Sequence, residues 1–439
     1  MAHLGVLCYH GVGHLNPFLA LSTELVSRGH EVTFFLPREC EAKIREGGFG
    51  FVPVRIADPV QDHRAADIIS SSGSSAGIRA RLTRIDHEIG VYLREYLACI
   101  RASRVDALLV GEIALAGPIA AEILQKPYLM ISTSIPLNFG WRASQVLADG
   151  TPHQEDESVL FESTISSAKG PIRDILDRYR RHVGLGPISD LGSSFPELAH
   201  ITQWPECLDI PRDGLPERFF YTGPFVPKLG RPSIAFPWCR LTGQPLVYAS
   251  LGTTQKAEPA LYHRIAEACV GLDVQLVITL GGRRKVGEFA DLPGHPLVVE
   301  NAPQIELLEL ANVVITHAGP NTVLETLRAG KPMLALPIAL DQPAVAAHLQ
   351  RLGLAEVLCA RDCSAADVRD ALLKLMTSET YLIAVRVLQA QLQSLNGAAL
   401  AATIIESAIG QIGLAESSPS NYTDSTSRFR HEIASSRLS

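Results

Sequence analysis

The sequence predicts an α/β protein of two Rossmann-like βαβ domains facing each other across a cleft. Three observations carry this. The front of the chain alternates short apolar runs with helical periodicity. Pro227, Gly230, Pro232, Pro237, Gly243 and Pro245 then crowd into one stretch, and after it the same alternation restarts. A chain of 439 residues, 46% of them hydrophobic, is long enough for two or three domains whose cores need no disulfide or metal staple.

Each element follows from local pattern. Leu4 to Tyr9 is an apolar run of strand length, and Gly11 and Gly13 mark a tight loop after it. Pro17 suits the start of a helix, where its missing N–H costs little. Phe18, Leu21 and Leu25 repeat at helical spacing, and Gly29 is a natural stop. Glu31 to Leu36 is the next strand, which completes a βαβ unit and implies a parallel sheet. Residues 58–80, with the tract Ser70-Ser71-Ser72-Gly73-Ser74-Ser75, are too polar to bury and read as a surface loop. A helix is expected over Ile78–Ile100, a strand over Ala107–Val110, a helix over Leu115–Gln125 and a strand over Tyr128–Ser132. Residues 136–200, with Trp141 and Phe161, read as loops and short helices.

The second half repeats the rhythm. Strands are expected at Pro245–Ala249, Val274–Leu280, Leu297–Glu300, Asn312–Thr316 and Pro332–Leu336. Helices lie between them, then from Pro343 to Gly353, and in three further stretches to about Ile412. The domains are read as 1–228 and 245–395, joined by a 229–244 linker. A helix over 396–415 is expected to pack back on the first domain, and a Ser/Thr-rich tail over 416–439 to be disordered.

Composition excludes several classes. Net charge is −7 with no long basic run, which argues against nucleic-acid binding. No apolar run reaches the roughly 20 residues that span a bilayer. The N-terminus has no basic stretch before its apolar run, so a secretory signal is not expected. Eight cysteines form no C-x-x-C pair and read as reduced thiols of a cytoplasmic protein.

The chemistry should lie in loops at the carboxyl ends of strands. The most informative run is His317-Ala318-Gly319-Pro320-Asn321-Thr322-Val323-Leu324-Glu325, which follows a strand and opens a helix. A helix start offers unpaired N–H groups and a positive dipole end, which suit a phosphate. Gly319 admits close approach, Pro320 fits the first turn, and Asn321, Thr322 and His317 add donors. Glu325, one turn on, can accept from ribose hydroxyls. On spacing alone the same run is equally an ordinary helix start with a surface histidine. Asp341-Gln342 can read sugar hydroxyls, or Asp341 can cap the next helix. Ser250-Leu251-Gly252-Thr253-Thr254 is a weak phosphate-loop signal. Gln304, in Ala302-Pro303-Gln304, can contact base or ribose.

In the first half, His14 stands in Gly11-Val12-Gly13-His14-Leu15-Asn16-Pro17 just after the first strand. An imidazole there can act as a general base near neutral pH, or it is a capping or packing residue. Glu112, just past the strand Ala107–Val110, is the expected carboxylate partner. Asp106, at the opposite end of that strand, is a worse one. Gly11-x-Gly13 invites a dinucleotide reading, but Asn16 stands where the third Gly of the fingerprint belongs, and no acid ends the second strand.

Together these residues resemble the GT-B fold, nucleotide-sugar-dependent glycosyltransferases, including plant, macrolide and carotenoid (zeaxanthin-type) members. The resemblance runs to about residue 412 and is strongest from Tyr248 to Gln342. Tyr221-Thr222-Gly223-Pro224-Phe225 and the stretch Gly117–Pro136 look most like the carotenoid-type bacterial members. The resemblance implies that His14 deprotonates an acceptor hydroxyl, with Glu112 where the family has Asp. It implies that Thr253, His317, Gly319, Asn321 and Thr322 hold the donor diphosphate and that Glu325 and Gln304 hold the nucleoside. Asp341 and Gln342 are then implied to read the sugar. Asn301 departs from the family, whose relatives place an aromatic there to stack on the base.

The expected function is therefore an inverting O-glycosyltransferase moving a hexose, glucose from UDP, to a lipophilic small-molecule hydroxyl. UDP-sugar or dTDP-sugar would be a co-substrate, with no cofactor. No D-x-D occurs, so a metal-bridged diphosphate is not indicated. A large apolar acceptor could bring the enzyme to a membrane surface. The alternative from another class is a catalytically silent nucleotide-sugar-binding partner of the same fold.

Overall fold

A computed structural model of the chain describes residues 1–55, 75–136, 170–188, 198–209, 215–226, 234–253, 257–282, 284–339 and 341–415. The Ser70–Ser74 tract, Trp141, Phe161, Thr254, part of the linker and the tail from Glu416 lie outside these residues.

Two fully parallel sheets organise the fold. The first contains β1 (His3–Leu7), β2 (Glu31–Leu36), β3 (Gly50–Pro53), β4 (Ala107–Gly111), β5 (Tyr128–Ser132), β6 (Ala199–Thr202) and β7 (Phe219–Tyr221), in the order 3-2-1-4-5-6-7. The second contains β8 (Leu246–Ser250), β9 (Gln275–Thr279), β10 (Leu297–Val299), β11 (Ala311–Thr316), β12 (Met333–Ala335) and β13 (Ala355–Val357), in the order 10-9-8-11-12-13. Helices cover both faces, so the central strands are apolar throughout: every residue of β4 and of β8 is buried. This is the α/β, two-sheet GT-B architecture that the sequence predicts.

Sequence periodicity misses β3, β6, β7 and β13. They are three or four residues long, too short for a period to register. The helix over 170–182 falls within the stretch read as loops and short helices. The helix after β1 is a second correction. It runs Val12–Ser27, so Pro17 lies inside it rather than at its start, and His14 falls on its first turn.

Strand order reverses between β1 and β4 in the first sheet and between β8 and β11 in the second. At such switch points the loops leave in opposite directions and open a crevice. His14 follows β1 and Glu112 follows β4, while Thr253 follows β8 and His317 follows β11. The candidate residues thus stand over the two crevices.

The two halves are joined by packing and by backbone crossing. Trp204, fully buried after β6, belongs with Ile135 and Leu208 to the same apolar cluster as Tyr248, Leu307 and Val323 of the second sheet's layer. The helix Gly397–Ala415 returns to the first sheet, where Ala398, Ala401, Ile404 and Ile405 join the core of β1 and β2. Arg28 secures it by donating to Glu406 at 2.8 Å, to Thr403 at 2.9 Å and to the Ala399 carbonyl at 2.8 Å.

Outgoing and returning chains cross at Gly223 and Gly397. A Cβ on Gly397 would fall inside the van der Waals envelope of the Gly223 carbonyl, which is backbone and cannot rotate away. Gly397→Ala should therefore lower stability by about 3 kcal/mol, the upper end of overpacking costs. Denaturant unfolding measures this, and an unchanged midpoint would contradict the crossing.

Candidate active site

One half of the candidate site forms at the carboxyl edge of the second sheet. β11 ends at Thr316, and the chain turns sharply through Ala318, a fully buried non-glycine residue with φ of 63°. That left-handed conformation is costly for a residue with a Cβ and is found where structure over-determines it. The turn launches the helix Pro320–Arg328, whose N-cap Gly319 makes no side-chain cap. Pro320 has no N–H, so the N–H groups of the next residues, Asn321 and Thr322, define the helix start.

His317 lies between two glycines. A Cβ on Gly319 would sit 2.5 Å from its Nε2, and one on Gly252, whose φ is +91°, would sit 2.6 Å from the same nitrogen. Only glycine therefore lets the ring lie between the β8 and β11 loops. The buried Nδ1 has no hydrogen-bond partner among the described residues. Burial lowers the ring's pKa to about 4, a shift that the Ser250 backbone partly opposes.

Gln304 and Glu325 are brought together. Gln304 Nε2 donates to Glu325 Oε2 at 2.6 Å, and Tyr248 Oη and Ser250 Oγ approach Gln304 Oε1 at 3.4 Å. Thr253 is half-buried at the end of the β8 loop. Asn301 is exposed beside the Gly281-Gly282 turn, where a Cβ on Gly282 would lie 3.3 Å from its Oδ1.

Asp341 occupies the N-cap position of the helix Gln342–Arg351 but makes no side-chain cap. Burial raises its carboxyl to about 6. Gln342 is buried, and its Oε1 accepts from the N–H groups of Ile338 and Ala339, both at 2.9 Å. That oxygen ties the β12 loop to the helix.

The first-sheet half of the site corrects one expected pairing. His14 Nδ1 meets Thr133 Oγ1 at 2.7 Å, with the Tyr9 ring edge-on at 5.6 Å. Glu112 instead accepts from Ser132 Oγ at 2.7 Å, and that oxygen lies 2.6 Å from His200 Nε2. Glu112, Ser132 and His200 are all buried. The reason is placement: Thr133 follows β5 on the crevice side, and its hydroxyl reaches the ring before the Glu112 carboxylate can. Burial lowers His14 to about 4, so the ring is neutral well below neutral pH.

Asn321 corrects another expectation. Its side chain does not wait for a phosphate but crosses to the first sheet's loops. Its Nδ2 donates to the Gly13 carbonyl at 2.6 Å, and its Oδ1 accepts from Gln203 Nε2 at 2.8 Å. The structure thus joins the His14 loop directly to the helix start at Gly319. Thr133 and Gln203 were absent from the sequence-based candidates. Thr133 follows a predicted strand and could have been found by its position, whereas Gln203 follows β6, which periodicity misses.

These burial effects make stability pH-dependent. Unfolded imidazoles protonate near 6.5 and the folded rings of His14 and His317 near 4. The unfolded state binds more protons across that window, so the two rings lower stability as pH falls from about 6.5 to about 4. Asp341 acts oppositely: its contribution is full below 3.8 and is lost as pH rises through about 6. Two rings outweigh one carboxyl. The melting temperature should fall on acidification across this window, and Asp341→Asn should steepen the fall. A level profile would contradict the lowered ring pKa values.

The sequence pattern of the family described as UDP-glucoronosyl and UDP-glucosyl transferase matches residues 241–391. A zeaxanthin glucosyltransferase of Pseudescherichia vulneris is 30% identical over 423 residues, covering 93% of this chain and 98% of the relative. The crystal structure of a kitacinnamycin glycotransferase superimposes with a TM-score of 0.73 at 25% identity, covering 93% of this chain and 99% of that one. A spinosyn rhamnosyltransferase complexed with thymidine diphosphate shares the fold, with a TM-score of 0.68 at 21% identity over 92% of this chain and 100% of that one. With strand order, crevices and near full-length similarity in agreement, this chain belongs to the UDP-glucoronosyl and UDP-glucosyl transferase family and is a nucleotide-sugar-dependent glycosyltransferase of GT-B fold.

Proposed function

We propose that the protein is an inverting O-glycosyltransferase that moves glucose from UDP-glucose to a hydroxyl of a lipophilic small molecule. The observation that carries this reading is the direct junction of the two crevices. Gly13, next to His14, is hydrogen-bonded to Asn321 at the start of the Pro320 helix. A base and an anion-binding helix start so joined can act on opposite sides of one anomeric carbon. The similarity to a zeaxanthin glucosyltransferase supports the sugar and the lipophilic acceptor.

In this mechanism His14 Nε2 takes the acceptor proton while Nδ1 rests on Thr133. The acceptor oxygen attacks the anomeric carbon, and the bond to the diphosphate oxygen breaks on the opposite face, which inverts configuration. The charge growing on the diphosphate is met by the helix start, by His317 and by Thr253, without a metal. Glu325 and Gln304 hold the ribose, and Asp341 faces the sugar. The alternative, a catalytically silent nucleotide-sugar-binding partner, draws support from Thr133 standing where a carboxylate would stabilise a charged ring.

Thermal shift tests the donor site. UDP should raise the melting temperature of wild type but not of His317→Ala, since only ligand bound to the native state stabilises it. Transfer from UDP-glucose to a hydroxylated carotenoid should be unaffected by EDTA. Stabilisation by UDP with no transfer to any lipophilic alcohol would favour the silent partner, and stabilisation by NAD alone would sink both readings.

A further inference from the structure

Gln203 makes three side-chain hydrogen bonds, using both of its amide N–H donors, among the residues where the two crevices join. It is 2% exposed. Its Nε2 donates to the Thr133 carbonyl at 2.5 Å and to Asn321 Oδ1 at 2.8 Å, and its Oε1 accepts from the Phe225 N–H at 3.2 Å. The orientations of both amides follow from their partners. The Thr133 and Gly13 carbonyls can only accept, so the Gln203 and Asn321 nitrogens must face them.

Pro17 completes the arrangement. In the helix Val12–Ser27 the N–H of residue 17 would bond the Gly13 carbonyl, but proline has none. That carbonyl is taken by Asn321 Nδ2 across the junction, and the same nitrogen lies 3.4 Å from the Thr133 carbonyl. A closed path thus runs from the His14 ring through Thr133 and Gln203 to Asn321, and back through Gly13 to His14.

We propose that Gln203 is a positioning residue for transfer, setting the His14 ring against the Pro320 helix start through Thr133 and Asn321. This rests on the base and donor assignments given above. Gln203 is buried and acts through Thr133 and Asn321. It fixes the distance between the group that takes the acceptor proton and the group that holds the leaving diphosphate. Such a distance matters because a misplacement of about 1 Å can cost roughly 10²-fold in rate.

The test compares wild type with Gln203→Glu and with Pro17→Ala. The glutamate keeps size and the acceptor for the Phe225 N–H but loses both donations, to the Thr133 carbonyl and to Asn321 Oδ1. The alanine supplies an N–H that competes for the Gly13 carbonyl and leaves Gln203 intact. Both variants should bind UDP within about twofold of wild type by calorimetry, while kcat for transfer drops, by roughly 10²-fold for the glutamate. The fraction of UDP-glucose lost to water should rise. A readout without substrate is the ring titration of His14 by NMR in histidine-labelled protein. It should move from its depressed value towards 6.5 in Gln203→Glu as the ring loosens. Unchanged kcat with an unchanged titration overturns the proposal, as does a loss of UDP binding and kcat in step with melting temperature. If wild type binds neither UDP nor dTDP, the transferase reading falls, while the titration still decides whether Gln203 holds the ring.

Discussion

Replacing His14 by alanine should lower transfer by about 10²–10⁴-fold, the range that general-base catalysis supplies. UDP affinity should stay near that of wild type, because the ring stands on the acceptor side of the junction. The residual rate then reports what the helix start contributes by itself. The pH profile is the more specific test. Burial lowers the His14 pKa to about 4, so the ring is already a free base at mildly acid pH. The acid limb of kcat/KM should therefore lie near 4, where a solvated histidine would place it near 6.5. Thr133→Val removes the ring's hydrogen-bond partner among the described residues and should cost less than His14→Ala, since it frees the tautomer without removing the base. Equal activity of His14→Ala and wild type would remove His14 from the mechanism.

Gly319→Val should abolish detectable UDP stabilisation. The new side chain begins 2.5 Å from His317 Nε2, and the facing Gly252 leaves the ring no alternative position. Either the ring leaves or the turn through Ala318 opens, and either change disturbs the site proposed for the diphosphate. Loss of one preorganised donor costs about 10²–10³ in rate, and here two groups move together. Gly319→Ala should show the same effect in weaker form. Normal UDP binding by the valine variant would mean that the diphosphate sits elsewhere. The protein should remain folded, because Gly319 lies at a helix start and the cores beneath it are formed by Val314, Val323 and Leu324.

The sequence by itself determined the βα rhythm, hence the parallel sheets, and the position of His14, Thr253, His317 and Gly319 at the ends of strands. These are local matters: apolar runs, helical periods and glycine turns are written in neighbouring residues. Short strands such as β3 and β6 escaped because four residues are too few to show a period. Only tertiary structure decided which side chains meet. Thr133 reaches His14 from 119 residues away, and Gln203 reaches Asn321 from 118. Glu112 lies at the expected sheet edge yet bonds Ser132, its neighbour across the β4–β5 pair, while Thr133 one residue further on takes the His14 ring. Asn321, a phosphate donor by motif, crosses to Gly13 because Pro17 leaves that carbonyl without a helical partner and the two sheet edges bring it within reach.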